Sequence, residues 1–474
     1  MVRTSNAYRK GIDWITVLIY LALVTFGWFN IYAANFNPET QVFFSAEAEY
    51  FKQLVWIGVS LTFAIMIMQI DSKFFVEISY PFYGFSLFLL LVVLFFGREV
   101  NGAKSWFEVG PVRFQPAELT KVATALLIAR LMSRYGFSFD KRRNWFRLTA
   151  VLMTPVLFIL LQNDTGSALV YFVFLLAFYR EGMNPGIMVL GVVAAIIAVL
   201  TLLMDSIYVM GIYSLIIAGL LFVRGVRREF LVAILFGAVG GALFWLLTHF
   251  LGKINMEPII MLAALAFASG YLIYRWIVKK RRFILTYLLF LWCGLAFAYT
   301  TDYFFDHVLS DHQRIRINVL FGLEEDPLGA GYNVNQSKIA IGSGGLLGKG
   351  FLEGTQTKFN FVPEQTTDFI FCTIGEEWGF VGSSLLVIVF LIFMIRLVYL
   401  AEKQHSTFSR VYGYCVAGIF FFHFAINLGM TIGLAPVIGI PLPFFSYGGS
   451  SLWGFTILLF IFLKLDTNRN ELIR

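Results

Sequence analysis

The chain has 474 residues, of which 59% are hydrophobic, 18% aromatic and only 14% charged, with a net charge of +7. A soluble domain carries about 45–50% apolar and about 25% charged residues, so a string of soluble domains is excluded. The positive balance does not point to nucleic acid, because Lys and Arg sit in short loops between apolar runs, where they fix membrane orientation.

A spanning helix needs about 20 mainly apolar residues, and the hydropathy predicts roughly fourteen of them. In chain order they lie near 14–34, 51–70, 76–97, 116–134, 147–162, 165–181, 187–204, 207–223, 229–250, 257–277, 282–303, 380–401, 409–432 and 447–465. The first run is longer than a secretory signal and has no small-residue cleavage site after it, so it reads as a membrane helix. The 147–162 run is short, and Gln162-Asn163-Asp164-Thr165-Gly166 breaks it from the next. Polar residues at such a break usually line a cavity, since lipid cannot satisfy the freed backbone groups. The expected fold is an all-α, polytopic transmembrane helix bundle.

Basic clusters recur at Arg3, Arg9 and Lys10, at Lys141, Arg142, Arg143 and Arg147, at Arg224, Arg227 and Arg228, at Lys279 to Arg282, and at Lys403 and Arg410. With this span count all fall on one side, which the positive-inside rule makes cytoplasmic, together with both termini. Cys293, Cys372 and Cys415 lack paired or metal-ligand spacing and read as reduced packing residues. His307 and His312 are isolated, which argues against a zinc site.

The longest non-spanning stretch, about 301–379, then lies on the outer face, with shorter outer segments at 98–116 and 436–449. Chemistry is expected there, at the membrane–water boundary. Glu324-Glu325-Asp326-Pro327 holds three carboxylates before a Pro-fixed turn, which suits either a general base or a solvated acidic turn. The segment 341–350 is Gly-rich and reads as a weak candidate for cradling phosphate through backbone N–H groups. Glu118 and Lys121, three residues apart, share one helix face at the start of the fourth span. Charges there face a cavity or partner, or form an interfacial ion pair. Asp164 at the helix break poses the same question, with capping of the next helix as the plainer reading. Glu364, Asp368, Glu376 and Glu377 lead into the next span, facing the same cavity or capping that helix.

Several segments carry a resemblance when taken together and in order. They are Asn101-Gly102-Ala103-Lys104-Ser105-Trp106, Phe114-Gln115-Pro116-Ala117-Glu118-Leu119-Thr120-Lys121, Asp326 to Tyr332 and Gln336 to Gly345. Gly348-Lys349-Gly350, Gly354-Thr355-Gln356, Phe361 to Glu364, Thr367 to Phe371 and Pro443 to Ser450 follow. Over nearly its whole length the chain resembles the SEDS family of cell-wall polymerases, and Gly-Lys-Gly followed by Gly-Thr-Gln favours its RodA branch.

The resemblance implies a peptidoglycan glycosyltransferase that joins lipid II units into glycan strands at the outer face of the bacterial cytoplasmic membrane. It implies as partners a class B penicillin-binding protein and other membrane proteins of the elongation machinery. The family's essential acid falls on Asp326, and its Glu and Lys pair on Glu118 and Lys121. On this reading Asp326 is the general base at the acceptor hydroxyl. Lys121, with a divalent cation (magnesium or manganese), neutralises the leaving pyrophosphate. Glu118 orients Lys121 or helps hold the metal, for which Asp326 and Glu118 are the candidate ligands. Trp106, Arg113, Gln336, Lys338, Ser343, Glu364 and Asp368 are expected to contact substrate.

Two departures stand out. The family's Gln-Pro-Asp-Leu-Gly at the helix break is Gln162-Asn163-Asp164-Thr165-Gly166 here. RodA-like proteins typically have ten spans, seven of them before the large outer loop, whereas about eleven precede it here. The expected organisation is a core from 1–185 and 281–474, containing the outer loop 301–379, with four helices inserted at 186–280. An even number of added helices preserves the sidedness of Asp326. A flippase for lipid-linked wall precursors is the main alternative. It would place charged residues at broken helices near the bilayer midplane in repeated halves, and no internal repeat is evident. A noncatalytic scaffold is the third reading.

Overall fold

The computed structural model describes residues 11–35, 48–100, 102–110, 112–223, 227–250, 257–279, 282–307, 309, 311–323, 330–359 and 361–469. Side-chain caps start some of the helices, at Asp13, Asp71 and Asp164. Helix α1 (Trp14–Ala34) starts at Asp13, whose carboxylate accepts the Thr16 N–H at 3.2 Å. Helices α2 (Glu49–Gln69) and α3 (Ser72–Phe96) follow, then α4 (Pro116–Met132) and α5 (Arg142–Leu161). The interrupted span is α6 (Thr165–Val170), a tighter turn at Tyr171–Val173 and α7 (Phe174–Arg180). Beyond it come α8 (Pro185–Leu203), α9 (Ser206–Val223), α10 (Arg227–Phe250), α11 (Glu257–Lys279) and α12 (Arg282–His307). The remainder are α13 (Asp311–Phe321), α14 (Ala330–Ser343), α15 (Ile370–Glu402), α16 (Thr407–Thr431) and α17 (Gly449–Thr467).

Every expected span falls on a helix. Among the described residues, 10 helices are long and apolar enough to cross a membrane, and Thr165–Arg180, Tyr208–Leu220 and Leu231–Leu246 are shorter apolar helices. Helix α4 has only 17 residues and carries Glu118, Lys121 and Arg130. The chain is a multi-pass membrane protein.

Two local features differ from the helical expectation. Residues 98–114 form a three-stranded antiparallel sheet in the order β1 (Arg98–Val100), β2 (Ala103–Val109), β3 (Val112–Phe114). Trp106 pairs with Arg98, and Glu108 with Arg113. Helix α15 begins ten residues before the expected apolar run, because the polar Glu376 and Glu377 are buried inside its first turns. Gly379 breaks that helix with φ 64° and ψ −161°.

Contacts divide the chain into two units, Met1–Asn184 with Arg316–Arg474, and Pro185–Ile315. In the first, α16 and α17 are mostly buried, whereas α2 and α3 expose most of their surface, as suits helices facing lipid. Helix α17 packs on α2, α3 on α4, and α16 on both α15 and α4. The second unit is wider than 186–280, because α12 packs on α8 and α9. Within it, Gly237 and Gly241 of α10 lie against Ala264 of α11, a small-residue contact that lets membrane helices approach closely.

Candidate active site

Pro116 at the first helical position starts α4 and places Glu118 and Lys121 one turn apart on its inner face. Lys121 Nζ donates to Glu118 Oε1 at 2.8 Å and to His423 Nε2 of α16 at 2.9 Å. Lys121 is 1% exposed, His423 2% and Glu118 4%, so bulk water does not screen this cluster. Because Nε2 accepts from an ammonium, the imidazole proton sits on Nδ1, which donates to the Pro441 carbonyl at 3.3 Å. Phe455 of α17 closes the site, with the ammonium 5.3 Å from its ring centroid and the imidazole edge-on at 4.8 Å. Glu118 Oε2 is buried against Gly454 and has no hydrogen-bond partner among the described residues.

His423 couples this cluster to a set of loops at one end of the first unit. Asn427, one helical turn further on, donates to the carbonyls of both Asp368 and Ile440 at 2.8 Å. Tyr447 N–H donates to the Thr366 carbonyl at 2.8 Å, and Gln365 to the Ala34 carbonyl at 2.9 Å. Ser337 of α14 donates to the Thr431 carbonyl at 2.9 Å, and Arg316 to the Val437 carbonyl at 3.2 Å. Asp368 keeps part of its surface, yet burial of its carboxyl, and then the charge of Glu364, push it up to about 7 against the opposing pull of Arg316. At the helix break Asp164 caps α6: it accepts from Ser167 N–H at 3.0 Å and from Gln115 Nε2 at 2.8 Å. The plainer reading of Asp164 therefore holds. Lys104 N–H reaches the Gln162 carbonyl at 2.9 Å, tying the sheet to the same break.

The Gly-rich segment is built for close packing. A Cβ at Gly344 would lie 2.0 Å from the Gly375 carbonyl oxygen, and one at Gly348 2.1 Å from that of Glu377. Lys349 and Gly350 N–H groups donate to the Glu376 and Glu377 carbonyls at 3.0 Å, and Phe380 and Val381 N–H groups return bonds to Gly345 and Leu346. A cradle of backbone N–H groups does exist nearby, and the protein's own carboxylate fills it. Glu376, fully buried, accepts from the N–H groups of Thr355 (2.7 Å), Gln356 (2.8 Å) and Thr357 (2.9 Å), and from Lys349 Nζ (2.6 Å). Glu376 thus neither caps its helix nor lines an open cavity; it pins the 349–357 loop.

Comparison with known proteins identifies the family. The family model FTSW_RODA_SPOVE, described as cell cycle protein, matches residues 13–218 and 223–471. The chain belongs to the FtsW/RodA/SpoVE family. It is 31% identical over 463 residues to the peptidoglycan glycosyltransferase RodA of Treponema pallidum, covering 97% of this chain and 98% of that one. A chain from a peptidoglycan synthase complex that coordinates polymerization and crosslinking aligns with TM-score 0.60 and 25% identity, covering 97% and 99%. The rod shape determining protein RodA of Thermus thermophilus shares the fold, with TM-score 0.54, 22% identity and coverage of 97% and 98%.

In this RodA-branch member of the FtsW/RodA/SpoVE family the expected site residues fall into three groups. Glu118 and Lys121 meet in the buried cluster. Asp368 and Glu364 lie in the loop set, where Glu364 is exposed, has φ 53° and accepts from Thr367 Oγ1 at 2.9 Å. Lys338 is exposed beside Gly433, Gln336 is half-buried on the same helix, and Ser343 donates back to its own helix at Ala340. Arg113 is exposed on the sheet, 3.4 Å from Glu108, while Trp106 is half-buried. The Arg113 charge also opposes the rise in the Tyr447 phenol's pKa that burial, and then Glu49, produce. Asp326 and the segment 324–329 lie outside the described residues.

Of the two candidate metal ligands, Asp326 lies outside the described residues and Glu118 sits in the buried cluster. Among the described residues no three His, Cys, Asp or Glu side chains converge, and Glu118 already faces an ammonium that would repel a cation. His423 is the member of the buried cluster that sequence reading missed. Its signal was the spacing to Asn427, two polar side chains one turn apart in an apolar helix.

Proposed function

We propose that this chain polymerises lipid II into peptidoglycan glycan strands during cell elongation, paired with a class B penicillin-binding protein and other elongation-complex membrane proteins. The full-length similarity to a peptidoglycan glycosyltransferase from Treponema pallidum carries the reading. The loop set supports it: polar and charged groups gather at one end of the helices, as suits a substrate with its lipid tail in the bilayer and its pyrophosphate sugar at the surface. We place this end on the outer face of the bacterial cytoplasmic membrane, with both termini inside.

Polymerisation needs a sugar hydroxyl deprotonated and a lipid pyrophosphate expelled. Asp326 takes the hydroxyl proton. Lys121 is buried on two partners, so in this arrangement it and Glu118 are positioning residues that hold His423 and, through it, the Pro441 carbonyl. The exposed cations Arg113 and Lys338 are better placed to meet the pyrophosphate oxygens. A magnesium or manganese ion enters this proposal only as one carried by the pyrophosphate.

The test is incubation of fluorescent lipid II with the purified chain and its class B partner, read as glycan strands on a gel. Strands support the reading. Failure to form them, with lipid II translocation in vesicles, would make the chain a flippase.

A further inference from the structure

The C-terminal end of α4 and the start of α5 enclose a cavity of about 240 Å³ that the proposed reaction does not use. Four cations line it, Arg134, Lys141, Arg143 and Arg147, over an apolar floor of Leu131 and Leu148. None of the four is in an ion pair with a carboxylate among the described residues. Asp140 is the sole acid between residues 131 and 148, and its carboxylate accepts from Ser138 at 2.8 Å. Lys141 donates to the Gly136 carbonyl at 2.9 Å, and Arg134 is held against Tyr80 by a hydrogen bond and by its ring, 5.6 Å away. Two of the four are thus fixed in place, and Arg143 and Arg147 complete the ring of charge.

Four like charges lining one cavity repel one another. An anion offsets that cost, and guanidinium groups bind phosphate oxygens in paired hydrogen bonds. The surroundings select the kind of anion. The cavity lies where two membrane helices end, its floor is aliphatic, and Tyr135 and Phe146 beside it are 107% and 76% exposed, as aromatic side chains are at headgroup level. Basic pockets between membrane helices are a recognised way of holding anionic lipid headgroups.

We propose that this pocket binds the phosphate headgroup of an anionic phospholipid, anchoring the α4–α5 connection to the membrane surface. The test uses the purified full chain in neutral detergent, with retained lipid counted by native mass spectrometry. It is offered phosphatidylglycerol, phosphatidylcholine or inorganic phosphate. The expected result is selective retention of phosphatidylglycerol, reduced about tenfold or more in Arg143→Gln/Arg147→Gln. Lys403→Gln, in a different basic loop, should leave retention unchanged. Should the double Gln variant misfold, Arg143→Lys/Arg147→Lys keeps the charge without the forked donors and should retain the lipid more weakly than wild type. Equal retention of phosphatidylcholine, or no loss in either double variant, overturns the proposal. Binding of inorganic phosphate with no lipid preference also overturns it, making the pocket a site for a soluble anion.

Discussion

Lys121 Nζ sits 2.9 Å from His423 Nε2, joining residues 302 positions apart in the buried centre of the first unit. The contact makes one unit of the start of α4, the middle of α16 and the loop at Pro441. Glu118 balances the ammonium from below, so the cluster is an ion pair with a neutral imidazole attached.

Breaking that cluster on one side should cost more than removing its charge on both. Lys121→Met strands the Glu118 carboxylate in the interior, at a cost of about 3–5 kcal/mol. Glu118→Gln/Lys121→Met should recover part of that loss, read as a higher thermal midpoint in detergent than the single variant.

The 349–357 loop depends on Glu376. Glu376→Gln replaces one carboxylate oxygen with an amide that faces N–H donors, a local loss of roughly 3–5 kcal/mol. Limited proteolysis should then cut between Gly348 and Thr357 several times faster than in wild type. Unchanged cleavage would show that the carboxylate is not what holds the loop.

Asp368 gives a pH signature. Its carboxyl is raised from 3.8 to about 7 in the folded chain, by burial first and Glu364 second. Between those values the folded state holds a proton that the unfolded chain has released, so stability falls as pH rises from about 4 to about 7. Above that the contribution is flat. Asp368→Asn should remove this decline, and it should melt higher than wild type at pH 8 and no higher at pH 4.

Neighbouring glycines should respond in opposite ways. Gly344→Ala forces a methyl group against the Gly375 carbonyl and should destabilise by about 1–3 kcal/mol or more. Gly342→Ala, inside α14 with open space around it, should be neutral or stabilising by roughly 0.5–1 kcal/mol. Thermal midpoints of the two variants separate these outcomes.

Helix positions were legible because hydropathy reports the membrane directly; α1 begins and ends where the apolar run does, at Trp14 and Ala34. The break at Asp164 was legible for the same reason, with its cap three residues from Ser167. The sheet at 98–114 was not, since its strands are short and only β2 exceeds three residues. The Lys121–His423 contact is not written in local sequence, because it joins residues 302 positions apart, and the bonds that wrap the loop on Glu376, across 19 to 27 residues, exceed any local motif. The Gly-rich segment at 341–350 suggested an anion cradle on composition; packing against α15 explains Gly344 and Gly348 instead. Matched motifs across the whole chain, rather than any single one, pointed to the family.

The most direct measurement of the central claim is lipid II polymerisation by wild type and Asp326→Asn, each purified with the class B partner and matched for membrane expression. Glycan strands are expected from wild type and none from the variant. Strands of similar yield from Asp326→Asn would contradict the assignment of Asp326 as the base, and absence of strands from wild type would contradict the polymerase itself.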